Sequence, residues 1–321
     1  MKKVSIGLAV VLVAQILFAV VLKWSGASPS TEQKALLSDS AAVNKVVLSD
    51  AEQQVTLWRR DGGWVVEQLE KLPADQSKVK DALHRVAQIR LGFPITATQS
   101  AHERFEVDEG KFQRKITLYK DENQPTEILL GTSPGFREVH LRIVDEDETY
   151  AVELNAFDFP AEPDQWLDKQ LLALDSPTQI QGNDYKLVRQ AEKWVLQSEQ
   201  GLDETKADDL VAAIEGLRIL EVAAPLEGEN VQEIEVLVAS GEEAFTYKFQ
   251  SNASEYRVSR DDRQAVFRLS QSEFDSIAGV TLTELQAALA EKPALDEEEP
   301  KLEASSEEAE ERVERESERD Q

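Results

Sequence analysis

Val4 to Leu22 reads VSIGLAVVLVAQILFAVVL, nineteen residues without a charge. Ser5 and Gln15 are its only clearly polar side chains. A helix of that length spans ~28 Å, about the hydrocarbon thickness of a bilayer. The stretch therefore predicts a single membrane anchor, and it places everything after it on one side of the membrane. Lys2 and Lys3 precede it, and Lys23 and Trp24 follow. Positive charge stays cytoplasmic, and Trp suits the interface. The expected orientation is N-terminus inside and the bulk outside. The competing reading is a cleaved signal peptide, since Ser25-Gly26-Ala27 resembles a cleavage site. The apolar run is long for that role, and Lys23 interrupts the approach to the site.

Charge and composition narrow the function classes. The net charge is −27, which excludes a phosphate-binding surface of the kind nucleic acid needs. The chain has no cysteine, so disulfides, iron–sulfur clusters and thiolate metal sites are ruled out. From Asp296 to Gln321 there are 13 acidic and 4 basic residues, a net of −9. Almost nothing apolar lies beyond Pro293, so residues 293–321 are expected to be a disordered acidic tail.

Between anchor and tail the periodicities alternate. Residues 25–42 are small and polar and read as a linker. Val43–Ser49 and Gln54–Arg60 read as strands. Asp61-Gly62-Gly63 signals a turn, and Trp64-Val65-Val66 starts the returning strand. Asp75 is a candidate N-cap for a helix whose apolar positions are Val79, Leu83, Val86 and Ile89. Four runs then predict an antiparallel meander: Ile116–Tyr119, Glu127–Leu130, Val139–Val144 and Tyr150–Leu154. In the segment Phe157–Asp175, residues Trp166, Leu167, Leu171 and Leu172 are expected on one apolar face.

The pattern then recurs. Leu57-Trp58-Arg59-Arg60 is echoed by Leu187-Val188-Arg189-Gln190, and Trp64 by Trp194, at an offset of 130. Val79, Leu83, Val86 and Ile89 map onto Leu210, Ile214, Leu217 and Leu220 at an offset of 131. Ile116 and Leu118 map onto Ile234 and Val236, and Phe157-Asp158 onto Phe274-Asp275. Thr281–Glu291 reads as a last amphipathic helix. The predicted fold class is α+β. A cytoplasmic stub with the transmembrane anchor (1–24) and a linker (25–42) lead to two related halves, 43–175 and 176–292, each a hairpin, a helix and a meander.

Several motifs resemble the DUF4340 family of membrane-anchored bacterial proteins. They are the anchor, VTLWRRDGGWVV (Val55–Val66), the helix Ala74–Leu91, LLGTSPGFREVHLRI (Leu129–Ile143) and QWLDKQLLAL (Gln165–Leu174). The resemblance covers roughly residues 1–290 and supplies no catalytic residues. It implies a single-pass protein of the bacterial inner membrane with a periplasmic bulk, associated with gliding-motility-type ABC transport systems. Permease and ATPase subunits are the implied partners, beside the lipid bilayer itself through Val4–Leu22. The expected role is a non-enzymatic accessory protein of such a transport complex. The alternative is a periplasmic binding module for an envelope glycan or other extracellular ligand.

No site residue, metal or cofactor is assigned; four features carry a candidate chemistry beside a plainer structural reading. Gly131-Thr132-Ser133-Pro134-Gly135 matches the G-x-S-x-G pattern of a nucleophile elbow, which needs a helix after the serine, whereas a strand-like run follows here. A hydrolase at Ser133 would also require His140 or another histidine against the hydroxyl. His84, His102 and His140 lack metal-ligand spacing. Asp145-Glu146-Asp147-Glu148 lacks the glycine and ligand alternation of an EF-hand, so it reads as a solvated hairpin tip. Trp58, Trp64, Trp166 and Trp194 read as packing residues, with carbohydrate stacking as the sharper alternative.

Overall fold

The computed structural model describes residues 34–37, 39–120, 124–197 and 201–286. Val4–Leu22, the first part of the linker and the acidic tail lie outside the described residues. So do 287–291 of the expected last helix. Among the described residues no helix is long and apolar enough to cross a membrane. The architecture is mixed α+β, with antiparallel sheets and few helices.

In chain order, the first half carries β1 (Lys34–Ala35), β2 (Lys45–Ser49), β3 (Gln54–Arg60), β4 (Gly63–Val66), β5 (Leu72–Pro73), α1 (Gln76–Gln88) and β6 (Arg90–Leu91). It continues with α2 (Gln99–Phe105), β7 (Val107–Asp108), β8 (Lys111–Phe112), β9 (Arg114–Tyr119), β10 (Thr126–Leu130), β11 (Glu138–Ile143) and β12 (Thr149–Glu153). The second half carries β13 (Gln179–Gln181), β14 (Lys186–Gln190), β15 (Lys193–Leu196), α3 (Glu204–Glu215), β16 (Val222–Ala223) and β17 (Gln232–Ser240). β18 (Glu243–Ser251), β19 (Tyr256–Arg260), β20 (Val266–Leu269), α4 (Gln271–Ile277) and α5 (Leu282–Leu285) complete it.

Two eight-stranded sheets result, in the orders β12-β11-β10-β9-β2-β3-β4-β5 and β15-β14-β13-β17-β18-β19-β20-β16. Seven strands follow the same path in both, while the eighth differs: β5 pairs with β4 in the first sheet and β16 with β20 in the second. Three strands run outward, a helix crosses back, and the next strand, β9 or β17, pairs with the first strand, β2 or β13. Each helix is started by an aspartate. Asp75 accepts from the Lys78 N–H at 2.9 Å, and Asp203 from those of Thr205 and Lys206 at 3.0 and 3.2 Å. These bonds satisfy amides the first helical turn leaves open.

The match between halves differs from the sequence alignment in two places. Val46 pairs with Leu57 and Leu118, and Ile180 with Leu187 and Val238. Ile116 and Leu118 therefore correspond to Val236 and Val238, two residues beyond Ile234 and Val236. A two-residue slip keeps the same face inward, so alternation alone does not expose it. The helices are displaced by about one turn. Aligned on their caps, Val79, Ala82, Val86 and Ile89 stand opposite Ala207, Leu210, Ile214 and Leu217, all buried. Leu220, expected opposite Ile89, is 42% exposed. A three-residue shift nearly preserves a helical stripe, which hides it from periodicity.

Part of the segment read as a linker belongs to the fold. Lys34 and Ala35 pair with Leu91 and Arg90, and Leu37 is buried in the first core. The polar stretch 99–112 forms α2 and the β7–β8 hairpin, which cover the outer side of the first sheet. Gly131 permits this. A Cβ there would lie 2.0 Å from Phe105 O and 2.6 Å from Glu106 O, at the end of α2. The next amide, Thr132 N–H, donates to Phe105 O at 2.8 Å.

Candidate functional site

The motif QWLDKQLLAL is the junction between the two sheets. Trp166 ends a short 3-10 turn, Pro163–Trp166, and is fully buried in the first core. Its indole N–H donates to Pro160 O at 2.8 Å. Leu167, Leu171 and Leu172, next along the chain, are buried in the second core. The four apolar residues expected on one face are thus divided between two cores. Polar groups tie the segment to both halves. Asp75 N–H donates to Trp166 O at 2.8 Å, and Asp168 N–H to Pro73 O at 3.0 Å. Toward the second half, the Val222 N–H donates to Asp164 Oδ1 at 2.9 Å, and the Tyr247 hydroxyl to Leu172 O at 2.7 Å.

Two lysines close the junction. Lys78 Nζ donates to Gln165 O at 2.6 Å and lies 5.0 Å above the Trp166 ring. Lys169 Nζ donates to Asp164 O at 2.7 Å and also to Leu220 O. Burial lowers both ammonium pKa values below the usual lysine range, against the opposing pull of Asp75 on Lys78 and of Asp164 on Lys169. Desolvation disfavours the charged form, and carbonyl acceptors and carboxylates recover part of the loss. All the bonds these ammonium groups make here go to main-chain carbonyls, so their observed work is structural.

The features weighed from sequence take ordinary positions. Ser133 lies in the loop between β10 and β11, and its hydroxyl is within donating distance of Gly135 O (2.6 Å) and Glu138 O (2.7 Å). The element that follows is a strand, so the strand–turn–helix of a nucleophile elbow does not form. His140 Nδ1 shares a hydrogen bond with the Thr132 hydroxyl at 2.9 Å, and its ring stacks on Phe105 with centroids 4.1 Å apart. Burial pushes the His140 pKa below its ordinary value. His102 Nε2 donates to Asp147 O at 2.7 Å, while His84 is exposed and shares a bond with Gln88. Buried Arg142 donates to Val107 O (2.7 Å), Val144 O (2.9 Å) and Glu146 O (3.1 Å). Carbonyls of the acidic tip that a calcium ion would use thus face a guanidinium and an imidazole. Trp64 is buried, Trp194 is half-buried, and the Trp58 ring lies under Lys45 Nζ at 4.6 Å.

A different place stands out as a candidate surface. A cavity of about 700 Å³ opens at the end of β12, lined by Arg85, Gln88, Arg90, Arg137, Glu153, Asn155 and Asp158 among others. Arg85 and Asp158 form an ion pair at 3.4 Å. Arg137, at φ 58°, lies 5.0 Å over the ring of Phe136. Phe136 and Phe157 are each 87% exposed, and Phe93 is 74% exposed. Each belongs to a segment that lines this cavity. Phe136 adjoins Arg137, Phe157 lies between Asn155 and Asp158, and Phe93 follows Arg90 by three residues. Phe157, matched from sequence to buried Phe274, points outward; Phe159 is the buried ring here. Sequence reasoning missed this surface. The usable signal was an aromatic in each of two turns, Gly92-Phe93-Pro94 and Gly135-Phe136-Arg137, where a large apolar side chain has little to pack on.

Comparison with known proteins yields one match. No curated protein and no solved structure matches the chain. A family model described as a domain of unknown function, DUF4340, matches residues 64–236. This is narrower than the span over which the sequence resembles the family. It runs from β4 through the junction to the middle of β17. That is more than half of the chain, and the chain belongs to the DUF4340 family.

Proposed function

We propose that this protein is a non-enzymatic accessory subunit of an ABC-type transport complex, anchored in the bacterial inner membrane by Val4–Leu22 with its bulk in the periplasm. Its two halves derive from one duplicated α+β unit. The observation that carries the reading is the junction. The segment Gln165–Leu174, one of those that resemble the family, spends its apolar side chains on joining two cores, and Lys169 with nearby Lys78 bonds main-chain carbonyls. Such a segment makes a braced platform, which suits docking better than turnover. The transport partner is carried by family resemblance. An envelope-glycan module is the second reading. It drew on the tryptophans, of which Trp64 and Trp166 are buried.

The test is gentle solubilisation of native membranes and capture of the full-length chain by a C-terminal tag. Permease and ATPase subunits recovered in fixed ratio are the expected result. Recovery of the protein alone rejects the transport assignment.

A further inference from the structure

We infer that the end of the first sheet bearing Phe93, Phe136 and Phe157 rests on the membrane surface, with Arg90 and Arg137 held at the level of anionic lipid headgroups. The inference rests on the reading of Val4–Leu22 as an anchor and goes beyond it, since an anchor alone leaves the orientation of the folded part open.

Three observations lead there. The first is the chemistry of the face. Three phenyl rings, 74–87% exposed, are expensive to leave in water and have the shape of interfacial wedges. Beside them Arg85, Arg90 and Arg137 line one cavity. Arg85 is paired with Asp158, Arg90 Nη1 donates to Ala87 O (2.7 Å) and Ile89 O (3.1 Å), and Arg137 lies over the Phe136 ring; Glu153 lines the same cavity. A guanidinium fork is the side chain best matched to a phosphate.

The second is where the chain enters the fold. Lys34 pairs with Leu91, two residues before Phe93. Only residues 23–33 separate the apolar stretch from Lys34. Fully extended, that distance is at most about 40 Å. The phenyl-bearing end is thus attached to the membrane by a short tether.

The third is the charge of the rest. The chain carries −27, so an anionic leaflet repels the bulk of the protein. A face that offers arginine and phenylalanine is drawn to the same leaflet. The two effects together select one orientation. The rings supply apolar contact, and the guanidinium groups bind phosphate oxygens without any covalent step.

The absence of cysteine makes the test direct, because an introduced cysteine is unique. The full chain is placed in nanodiscs of phosphatidylethanolamine and phosphatidylglycerol. An environment-sensitive fluorophore is attached in turn at Phe136→Cys, Phe157→Cys, Glu242→Cys in the β17–β18 turn, and Leu17→Cys in the anchor. Labels at 136 and 157 should be several-fold less quenched by iodide than the label at 242, and should be quenched by brominated lipid. In R90E/R137E that protection should fall to the level seen at 242; unchanged protection overturns the headgroup role. If 136 and 157 are as open to iodide as 242 while the label at 17 stays in lipid, the anchor reading survives and this inference fails. A water-exposed label at 17 removes the anchor reading, and the inference with it. Protection found in native membranes but not in nanodiscs assigns the face to a protein partner and also overturns it.

Discussion

The two halves share a strand path and differ in how many faces they bury. In the second sheet the residues alternate in and out. Val236 and Val238 on β17, Tyr247 and Phe249 on β18, and Val258 on β19 face the core, while Glu235, Thr246 and Lys248 are less buried. That is the pattern of an antiparallel sheet with one solvated side. In β10 and β11 of the first sheet burial runs through consecutive residues. Leu129 stands between Ile128 and Leu130, and Val139, His140, Leu141 and Arg142 are all buried. The cause is the α2–β7–β8 insertion, which covers the second face. The uncovered half pairs charges across strands, such as Lys248 with Glu233 at 2.8 Å. The covered half keeps such a pair, Lys115 with Glu127 at 2.6 Å, and adds bonds from Arg142 and His102 to main-chain carbonyls. One topology can thus carry a plain sheet or a lidded one; buried arginines occur in both, Arg142 under the lid and Arg257 and Arg260 in the second sheet, and each needs specific partners.

Substitutions separate the halves by size of effect. Trp166→Ala opens a void in the first core beside the junction and should cost about 3–5 kcal/mol, against about 1 kcal/mol for half-buried Trp194→Ala. Urea unfolding of the full chain in mild detergent measures both. Equal losses would mean that the junction does not distinguish the cores. Gly131→Ala pushes a methyl into the Phe105 carbonyl and should cost about 2–3 kcal/mol. Gly241→Ala, at φ +59° with open space around it, should cost roughly 1 kcal/mol. Hydrogen exchange should show the amides of α2 released in the first variant and intact in the second.

Arg142→Leu removes a donor from three carbonyls. Arg260→Leu leaves Asp262 without its two-pronged partner at 2.7 and 3.1 Å. Each should cost about 2 kcal/mol. Proteolysis should attack the 144–148 loop in the former and the 261–265 turn in the latter. Cutting at both loops in either variant would mean that the halves unfold as one unit.

The smallest expected effect is on pH. All three histidines lie in the first half. Burial holds His140 below its ordinary 6.5, so the unfolded chain takes up its proton first. Stability should therefore decline as pH falls below about 6.5, and level off below the folded value. In the second half Asp262 is held below its ordinary 3.8, chiefly by its bond to Arg260. Its contribution persists to lower pH and is lost only as pH falls through that depressed value. H140N should remove the earlier decline and leave the later one. A decline in H140N that still begins near pH 6.5 would assign it to another group.

What the sequence determined by itself was local. Apolar runs and alternation identified β2, β3, β9 and β10, and Asp75 marked the start of α1. These depend on short-range periodicity and capping, which neighbouring residues encode. The tertiary structure decided what depends on contacts between distant segments. It shifted the helix match by a turn and the β17 match by two residues, because packing faces tolerate both slips. It divided Trp166 from Leu167, Leu171 and Leu172, because a chain that turns between two cores need not keep its apolar residues on one face. It also left Phe93, Phe136 and Phe157 exposed on segments next to residues that line one cavity, since exposure is set by what the rest of the fold fails to cover.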